Sequence, residues 1–121
     1  MRQKQYRQTL TPSVFYILLA LCNKERHGYE IMKQAEYDSD GKIEMGPGTL
    51  YGSIKRMLAD GLIEEAYERP SPESDDERRK YYRLTEFGGK QLSMELNRYK
   101  NAIKLAQKRN LLPGMELSNF S

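Results

Sequence analysis

The residues of this chain that could do chemistry are two groups of basic side chains. Lys55 and Arg56 are adjacent within a stretch that has helical spacing, and Arg78, Arg79 and Lys80 directly follow an acidic segment. Clustered lysine and arginine attract polyanions such as the phosphate backbone of nucleic acid. Because the net charge is only +3, a nucleic-acid surface must come from this local clustering and not from the total charge.

His27 and Cys22, each the single residue of its type, do not form a catalytic or metal-binding pattern. Zinc sites and activated nucleophiles need several such side chains close together, and the chain has no glycine-rich phosphate loop. We therefore expect no enzyme activity, no metal and no cofactor. His27 is expected to form hydrogen bonds in a turn or in the core, and Cys22 is expected to lie in the core.

Length and composition indicate one small intracellular domain. The chain has 121 residues, of which 38% are hydrophobic and 31% are charged, so its own core is limited and association with a second copy is favoured. A lone cysteine cannot form an intrachain disulfide, and no run approaches the ~20 apolar residues of a membrane-spanning helix. We expect a cytoplasmic protein with no membrane partner.

The first basic group belongs to a helix predicted over residues 46–60, with Pro47 in its first turn and Gly61 just beyond its end. Leu50, Ile54, Met57 and Leu58 share one face of this helix. The remaining positions are small, polar or cationic, and we assign to DNA binding Gly48, Thr49, Tyr51, Gly52, Ser53, Lys55 and Arg56. Two glycines weaken a helix by about 1 kcal/mol each, which suggests that a bulky surface such as a DNA groove approaches here. An amphipathic core helix with solvated Lys55 and Arg56 explains the same stretch taken alone.

Two further helices are predicted before this one. Thr11-Pro12-Ser13 caps a helix that is apolar almost all round from residue 14 to 22, and a second helix follows the polar break at 23–28. A turn at 38–42 precedes residues 43–45, which have the character of a short strand. Residues 1–10 form a basic arm that is either disordered or in contact with phosphate.

Two strands are predicted after Gly61, over residues 62–69 and 79–84, joined by a proline-punctuated loop. The acids of this loop, Asp75, Asp76 and Glu77, would repel phosphate. The basic residues Arg78, Arg79 and Lys80 would attract it, so we assign them to DNA binding.

The last predicted helix, residues 85–112, begins at Thr85 and carries an apolar seam with the 4-3-4-3 spacing of a coiled coil. Such a seam requires a partner helix, and the apolar first helix also has more surface than one small domain covers. The predicted dimer interface therefore comprises Val14, Ile17, Leu18, Leu21, Leu92, Leu96, Tyr99, Ile103 and Ala106. Residues 113–121, which begin with Pro113-Gly114, are expected to be a flexible tail.

Three helices followed by two strands around a loop predict a mainly α fold with a small β-wing. This is a winged helix-turn-helix domain over residues 11–84, followed by a C-terminal dimerisation helix. In such a domain the third helix, here 46–60, enters the major groove of DNA. The wing, here 64–83, contacts the adjacent backbone.

The sequence resembles the PadR-like family of bacterial transcriptional regulators over residues 9–110. The similarity is carried by the order and spacing of Thr11-Pro12-Ser13, His27-Gly28-Tyr29-Glu30-Ile31, Gly48-Thr49-Leu50-Tyr51, Met57-Leu58-Ala59-Asp60-Gly61-Leu62-Ile63 and Tyr81-Tyr82-Arg83-Leu84-Thr85-Glu86-Phe87-Gly88. A single helix after the wing is similar to the short branch of the family. The resemblance implies a homodimeric repressor of a palindromic operator, in which the C-terminal helix packs against the other subunit and its first helix.

Some short members of the family bind flat aromatic compounds on a tryptophan at the dimer interface, and this chain contains no tryptophan. Phe15, Tyr16 and Tyr99 are the candidates to line a site for a small-molecule effector. We expect a sequence-specific, DNA-binding transcriptional regulator. The alternative is a winged-helix module that binds proteins and not DNA, and steep weakening of binding by salt distinguishes the first from the second.

Overall fold

A computed structural model describes residues 10–66 and 80–111 of the chain. Within these ranges four helices and three short strands follow one another. They are α1 (Pro12–Ala20), β1 (Arg26–His27), α2 (Gly28–Asp38), α3 (Pro47–Ala59), β2 (Ile63–Ala66), β3 (Tyr81–Leu84) and α4 (Glu86–Lys108). The predicted mainly α fold with a small β-wing and a C-terminal helix is confirmed. The basic arm before Leu10, the wing loop and the tail at 113–121 lie outside the described residues.

The helices begin and end where local capping chemistry places them. The Thr11 hydroxyl accepts a hydrogen bond from the Val14 N–H at 3.2 Å, and the Thr85 hydroxyl accepts one from the Gly88 N–H at 2.9 Å. Helix α3 ends in a Schellman motif, in which the Gly61 N–H donates to the Leu58 carbonyl and the Leu62 N–H donates to the Met57 carbonyl. Gly61 has a φ of 77°, a conformation that glycine adopts without strain.

His27 has the structural role expected of it. It is buried and caps α2: its Nδ1 accepts a hydrogen bond from the Glu30 N–H at 3.3 Å, and the Glu30 carboxylate accepts one from the His27 N–H at 3.1 Å. This is a capping box with histidine in place of the usual serine or threonine. The His27 ring also meets the Tyr81 ring edge to face, with 5.3 Å between centroids.

The sheet is antiparallel with the order β1-β3-β2. Strand β3 pairs with β2 from Ile63 opposite Leu84 to Ala66 opposite Tyr81, as the two predicted strands require. The third strand was not predicted correctly. Residues 43–45 are irregular, and the strand that pairs with the other edge of β3 is Arg26–His27, within the segment taken from sequence as a polar break.

The core draws on every helix and on the sheet. Its members are buried hydrophobic side chains, which include Leu10, Phe15, Ile17, Leu18, Ile31, Leu50, Ile54, Met57, Leu62, Ile63, Tyr82 and Leu92. Helix α4 joins this core at Gly88, where a Cβ atom would overlap the carbonyl group of Leu62. The close approach of the two backbones places the start of α4 directly against the end of α3.

Helix α1 is covered by its own chain more completely than its sequence suggested. Ile17 and Leu18 are 0% exposed and Leu21 is 3% exposed, because α2, α3 and α4 all pack against this helix. The assignment of these three residues to a dimer interface is therefore wrong, since they have no surface left for a second subunit to cover. Cys22 was expected in the core but is exposed, since α1 ends at Ala20 and Cys22 lies in the following turn.

Candidate nucleic-acid interface

One side of α3 is buried and the other is open to solvent. Leu50, Ile54 and Met57 lie in the core. The residues that remain accessible on the opposite side, which we call the α3 face, are Gly48, Thr49, Tyr51, Gly52, Lys55 and Arg56. Lys55 and Arg56 are exposed, and among the described residues neither has an ion-pair partner. The helix thus presents two cations beside glycine positions that leave its backbone accessible.

Ser53 does not belong to the α3 face. Its side chain is 3% exposed, so its assignment to DNA binding from sequence is wrong. The reason is helical geometry: Ser53 follows Leu50 by three residues and precedes Met57 by four, which places it in the buried stripe. This spacing is visible in the sequence, so Ser53 could have been assigned to the buried stripe from the helical period alone.

Arg83 on β3 pairs with two carboxylates, Glu64 on β2 and Glu25 just before β1. The Arg83 Nε donates to the Glu64 carboxylate at 2.8 Å, and a second guanidinium nitrogen lies 3.5 Å from the Glu25 carboxylate. The hydrogen bond to Glu64 is the largest contribution that raises the pKa of Arg83 above its usual value. Arg83 is therefore engaged with carboxylates of its own sheet and is a weaker candidate for phosphate contact than the residues of the α3 face.

Of the three basic residues predicted to contact DNA from the wing, the structure describes Lys80. It is exposed and its Nζ lies 3.6 Å from a carboxylate oxygen of Glu65, a solvated pair of the kind that contributes little stability. Arg78 and Arg79 lie outside the described residues, as does the acidic loop before them. Their contact with DNA stays a prediction.

The predicted dimer seam on α4 divides into a buried and an exposed part. Leu92 is buried in the core of its own chain, which corrects its assignment to the interface between chains. Leu96 and Tyr99 are 41% and 42% exposed, and two further apolar side chains on the helix, Met94 and Leu105, are also exposed. Ile103, Ala106 and, on α1, Val14 are half-buried. An apolar surface therefore remains along α4 beyond Leu92.

The three aromatic residues considered for an effector site do come together. Phe15 meets Tyr16 and Tyr99 with 5.3 Å between ring centroids in each case, both in edge-to-face geometry. Phe15 itself is buried in the core. The contacts within one chain are those of aromatic packing between α1 and α4, and effector binding by these residues stays a prediction.

Glu95 is a structurally important residue that the sequence did not reveal. It is 1% exposed, and its carboxylate accepts hydrogen bonds from the Tyr99 hydroxyl at 2.7 Å and from the Arg98 guanidinium. The hydrogen bond from Tyr99 lowers the pKa of Glu95 more than burial raises it, so the group is ionised. The same bond raises the pKa of Tyr99. Sequence showed a polar residue beside the apolar seam, and the only local signal was the spacing of four residues to Tyr99.

Neither a metal-binding cluster nor a membrane-spanning helix is found among the described residues. In the ranges 10–66 and 80–111 no group of three histidine, cysteine or carboxylate side chains converges to hold a metal ion. No helix in the same ranges combines the length and the apolar character needed to cross a membrane.

Comparison with known proteins identifies the family. Over 77 residues the chain is 34% identical to an uncharacterised protein of Lysinibacillus sphaericus. The aligned residues make up 64% of this chain and 68% of that protein. A PadR family transcription regulator from Clostridium difficile has 26% identity and a TM-score of 0.64, covering 81% of this chain and 97% of the other. A PadR-like transcriptional regulator from Bacillus cereus has 26% identity and a TM-score of 0.62, covering 84% and 92%. Since the model of the transcriptional regulator PadR-like family matches residues 17–94, which is more than half of the chain, this protein belongs to that family.

Proposed function

We propose that this protein is a cytoplasmic repressor that binds a palindromic DNA operator as a homodimer. The observation that carries the proposal is the α3 face, where Lys55 and Arg56 are exposed on a helix whose opposite side is fixed in the core. A helix held in this way is positioned by the whole domain, and its exposed side can enter the major groove without any rearrangement of the core.

Backbone accessibility on the α3 face supports contact with a groove. A Cβ at Gly48 would meet no neighbouring atom within 4 Å, and the nearest atom to a Cβ at Gly52 is a guanidinium nitrogen of Arg56 at 4.0 Å. Neither glycine is therefore required for packing within the chain. Their small size leaves room for the edges of bases or for the sugar-phosphate backbone.

The wing supplies the second contact in this proposal. Strands β2 and β3 lead away from the end of α3, and Lys80 lies where the chain returns into β3. Together with Arg78 and Arg79 it would meet phosphates beside the groove occupied by α3. Such contacts fix the position of the protein on DNA and contribute to affinity without reading the sequence.

The exposed apolar part of α4 supports the homodimer. Leu96, Tyr99 and Ile103 belong to a row of partly exposed apolar side chains along α4. Contact of such a row with water is unfavourable, so burial against another protein surface stabilises it. Pairing with the same helix of a second copy covers it with two-fold symmetry, which places two α3 helices about 34 Å apart on one side of the DNA. A palindromic operator presents its half-sites with the same symmetry.

Selection of genomic DNA fragments by the purified protein, followed by fluorescence anisotropy on a selected fragment, tests the proposal. We expect affinity to fall steeply as salt increases, because each phosphate contact releases counterions. Lys55→Ala should weaken binding by about 1–3 kcal/mol if the side chain contacts a base, or lower the salt slope by about one if it contacts a phosphate. Lys90→Ala removes an exposed charge from α4 and is the matched control.

Failure to select any fragment, or weak binding with little salt dependence, would contradict the proposal. That outcome would favour a winged-helix module that binds another protein. Equal binding by the wild type, by Lys55→Ala and by Arg56→Ala would contradict the assignment of the α3 face to DNA while leaving DNA binding itself intact.

A further inference from the structure

Gly28, the first residue of α2, lies against the hydroxyl end of the Tyr51 side chain on α3. A Cβ atom at Gly28 would stand 2.7 Å from Cζ and 2.9 Å from Cε1 of Tyr51, and closer still to its hydroxyl oxygen. These separations are too short for any real Cβ contact. The tyrosine ring therefore occupies the space that a side chain at residue 28 would need.

The glycine is not required here for its backbone conformation. Gly41 and Gly61 have positive φ, whereas Gly28 does not, so an alanine could adopt the same backbone geometry. Alanine is also a better helix former than glycine. What glycine provides at this position is room for the Tyr51 ring.

Tyr51 is half exposed although one side of its ring rests on α2. It belongs to the α3 face, one turn before Lys55. A side chain that is already held in place loses less conformational entropy when it binds a ligand than one that moves freely in solvent. The contact with Gly28 thus restricts the Tyr51 side chain to one orientation before the proposed DNA-binding surface meets its ligand.

We propose that Gly28 is a positioning residue for DNA binding, which by lacking a Cβ holds the Tyr51 ring against α2 in the orientation that contacts DNA. The inference rests on the proposed function of the α3 face. Because a tyrosine ring can rotate away from an added methyl group while a backbone cannot, Gly28→Ala should displace Tyr51 and leave the fold intact.

A double-mutant cycle tests this coupling. The four proteins are the wild type, Gly28→Ala, Tyr51→Ala and the double variant, and the probe is a fluorescent duplex selected from genomic DNA by the wild-type protein. We expect Gly28→Ala to weaken binding about three- to tenfold, the size of one lost polar contact, because the displaced ring no longer meets DNA. In the Tyr51→Ala background the same change should alter affinity by less than about twofold, since no ring remains to be displaced.

Gly89→Ala is the matched control. Gly89 also lies in the first turn of a helix, and a Cβ there would meet nothing within 4 Å, so DNA affinity should not change. Thermal unfolding of Gly28→Ala should occur at or above the wild-type temperature, since alanine is the better helix residue. A lower unfolding temperature would overturn the inference by showing that the contact supports the fold.

The remaining outcomes are equally decisive. Equal losses from Gly28→Ala with and without Tyr51 would show that the glycine acts independently of the ring and would overturn the inference. The inference would also be overturned if Gly28→Ala bound DNA with wild-type affinity while Tyr51→Ala bound it poorly. If the wild type binds no DNA, the proposed function fails and this inference fails with it, whereas DNA binding with additive effects refutes the inference alone.

Discussion

Replacing Glu95 with leucine should destabilise the protein although leucine is common in helix seams. The substitution removes the acceptor of the Tyr99 hydroxyl and of the Arg98 guanidinium. Tyr99 is 42% exposed and the Arg98 side chain is 48% exposed, so both can turn to water. Hydrogen bonds to a charged acceptor contribute about 1.5–3 kcal/mol each. Because both donors regain water, we expect the two losses together to lower the free energy of unfolding by about 2 kcal/mol.

The variant Glu95→Gln measures how much of the stabilisation comes from the negative charge, because glutamine has nearly the same shape as glutamate but is neutral. Glutamine keeps an acceptor oxygen, but hydrogen bonds to a charged acceptor are about twice as strong as those to a neutral one, so we expect about half the loss, near 1 kcal/mol. The assay is urea denaturation at one fixed protein concentration, because unfolding of the proposed dimer would depend on concentration. Glu44→Gln, at an exposed carboxylate outside the helices, is the matched control. Losses no larger than that of Glu44→Gln would refute this account of Glu95.

The same carboxylate predicts how stability depends on pH. Its folded-state pKa lies below the ordinary value of 4.5, so the unfolded chain binds a proton first as the pH falls. The stability that ionised Glu95 contributes is therefore complete above pH 4.5 and is lost as the pH falls from there through the folded-state pKa. The difference in stability between the wild type and Glu95→Gln should be constant at neutral pH and shrink below 4.5. A difference that does not change with pH in acid would contradict the ionised state of Glu95.

Three further predictions concern the dimer, the wing and the start of α4. Charges at two positions of the apolar surface of α4, in the variant Leu96→Glu/Ile103→Glu, should dissociate the proposed dimer and abolish specific operator binding, and a monomeric wild type in sedimentation would contradict this. Neutralising the basic residues of the wing should weaken binding to all DNA sequences alike, while neutralising the acids of its loop should leave binding equal or tighter, and the reverse order would show that the loop faces away from DNA. Gly88→Ala should lower the unfolding temperature clearly more than Gly89→Ala, because its Cβ would overlap backbone that cannot turn aside. Equal unfolding temperatures would mean that the α4 start can shift without loss.

The starts of α1, α3 and α4 and the end of α3 were predictable from sequence because capping acts within three or four residues. Thr11, Thr85, Pro47 and Gly61 were each recognised by type and spacing, and each has the predicted position in the structure. The buried stripe of α3 was predictable for the same reason, since the helical period decides which residues share a face. The similarity of several motifs in order also predicted the family, which the family model confirms.

What required the tertiary structure was the burial of residues whose neighbours come from distant parts of the chain. The apolar surface of α1 indicated a second subunit, but α2, α3 and α4 cover Ile17 and Leu18 completely. Strand β1 has two residues, too few for an alternating pattern, and it exists because β3 pairs with it. The sequence around Glu95 is that of a surface carboxylate, but in the folded chain the residue is buried and accepts hydrogen bonds from Tyr99 and Arg98. The helical period decides which residues of one helix share a face, and it depends only on the local chain. Which distant residues pack against that face depends on how the whole chain folds.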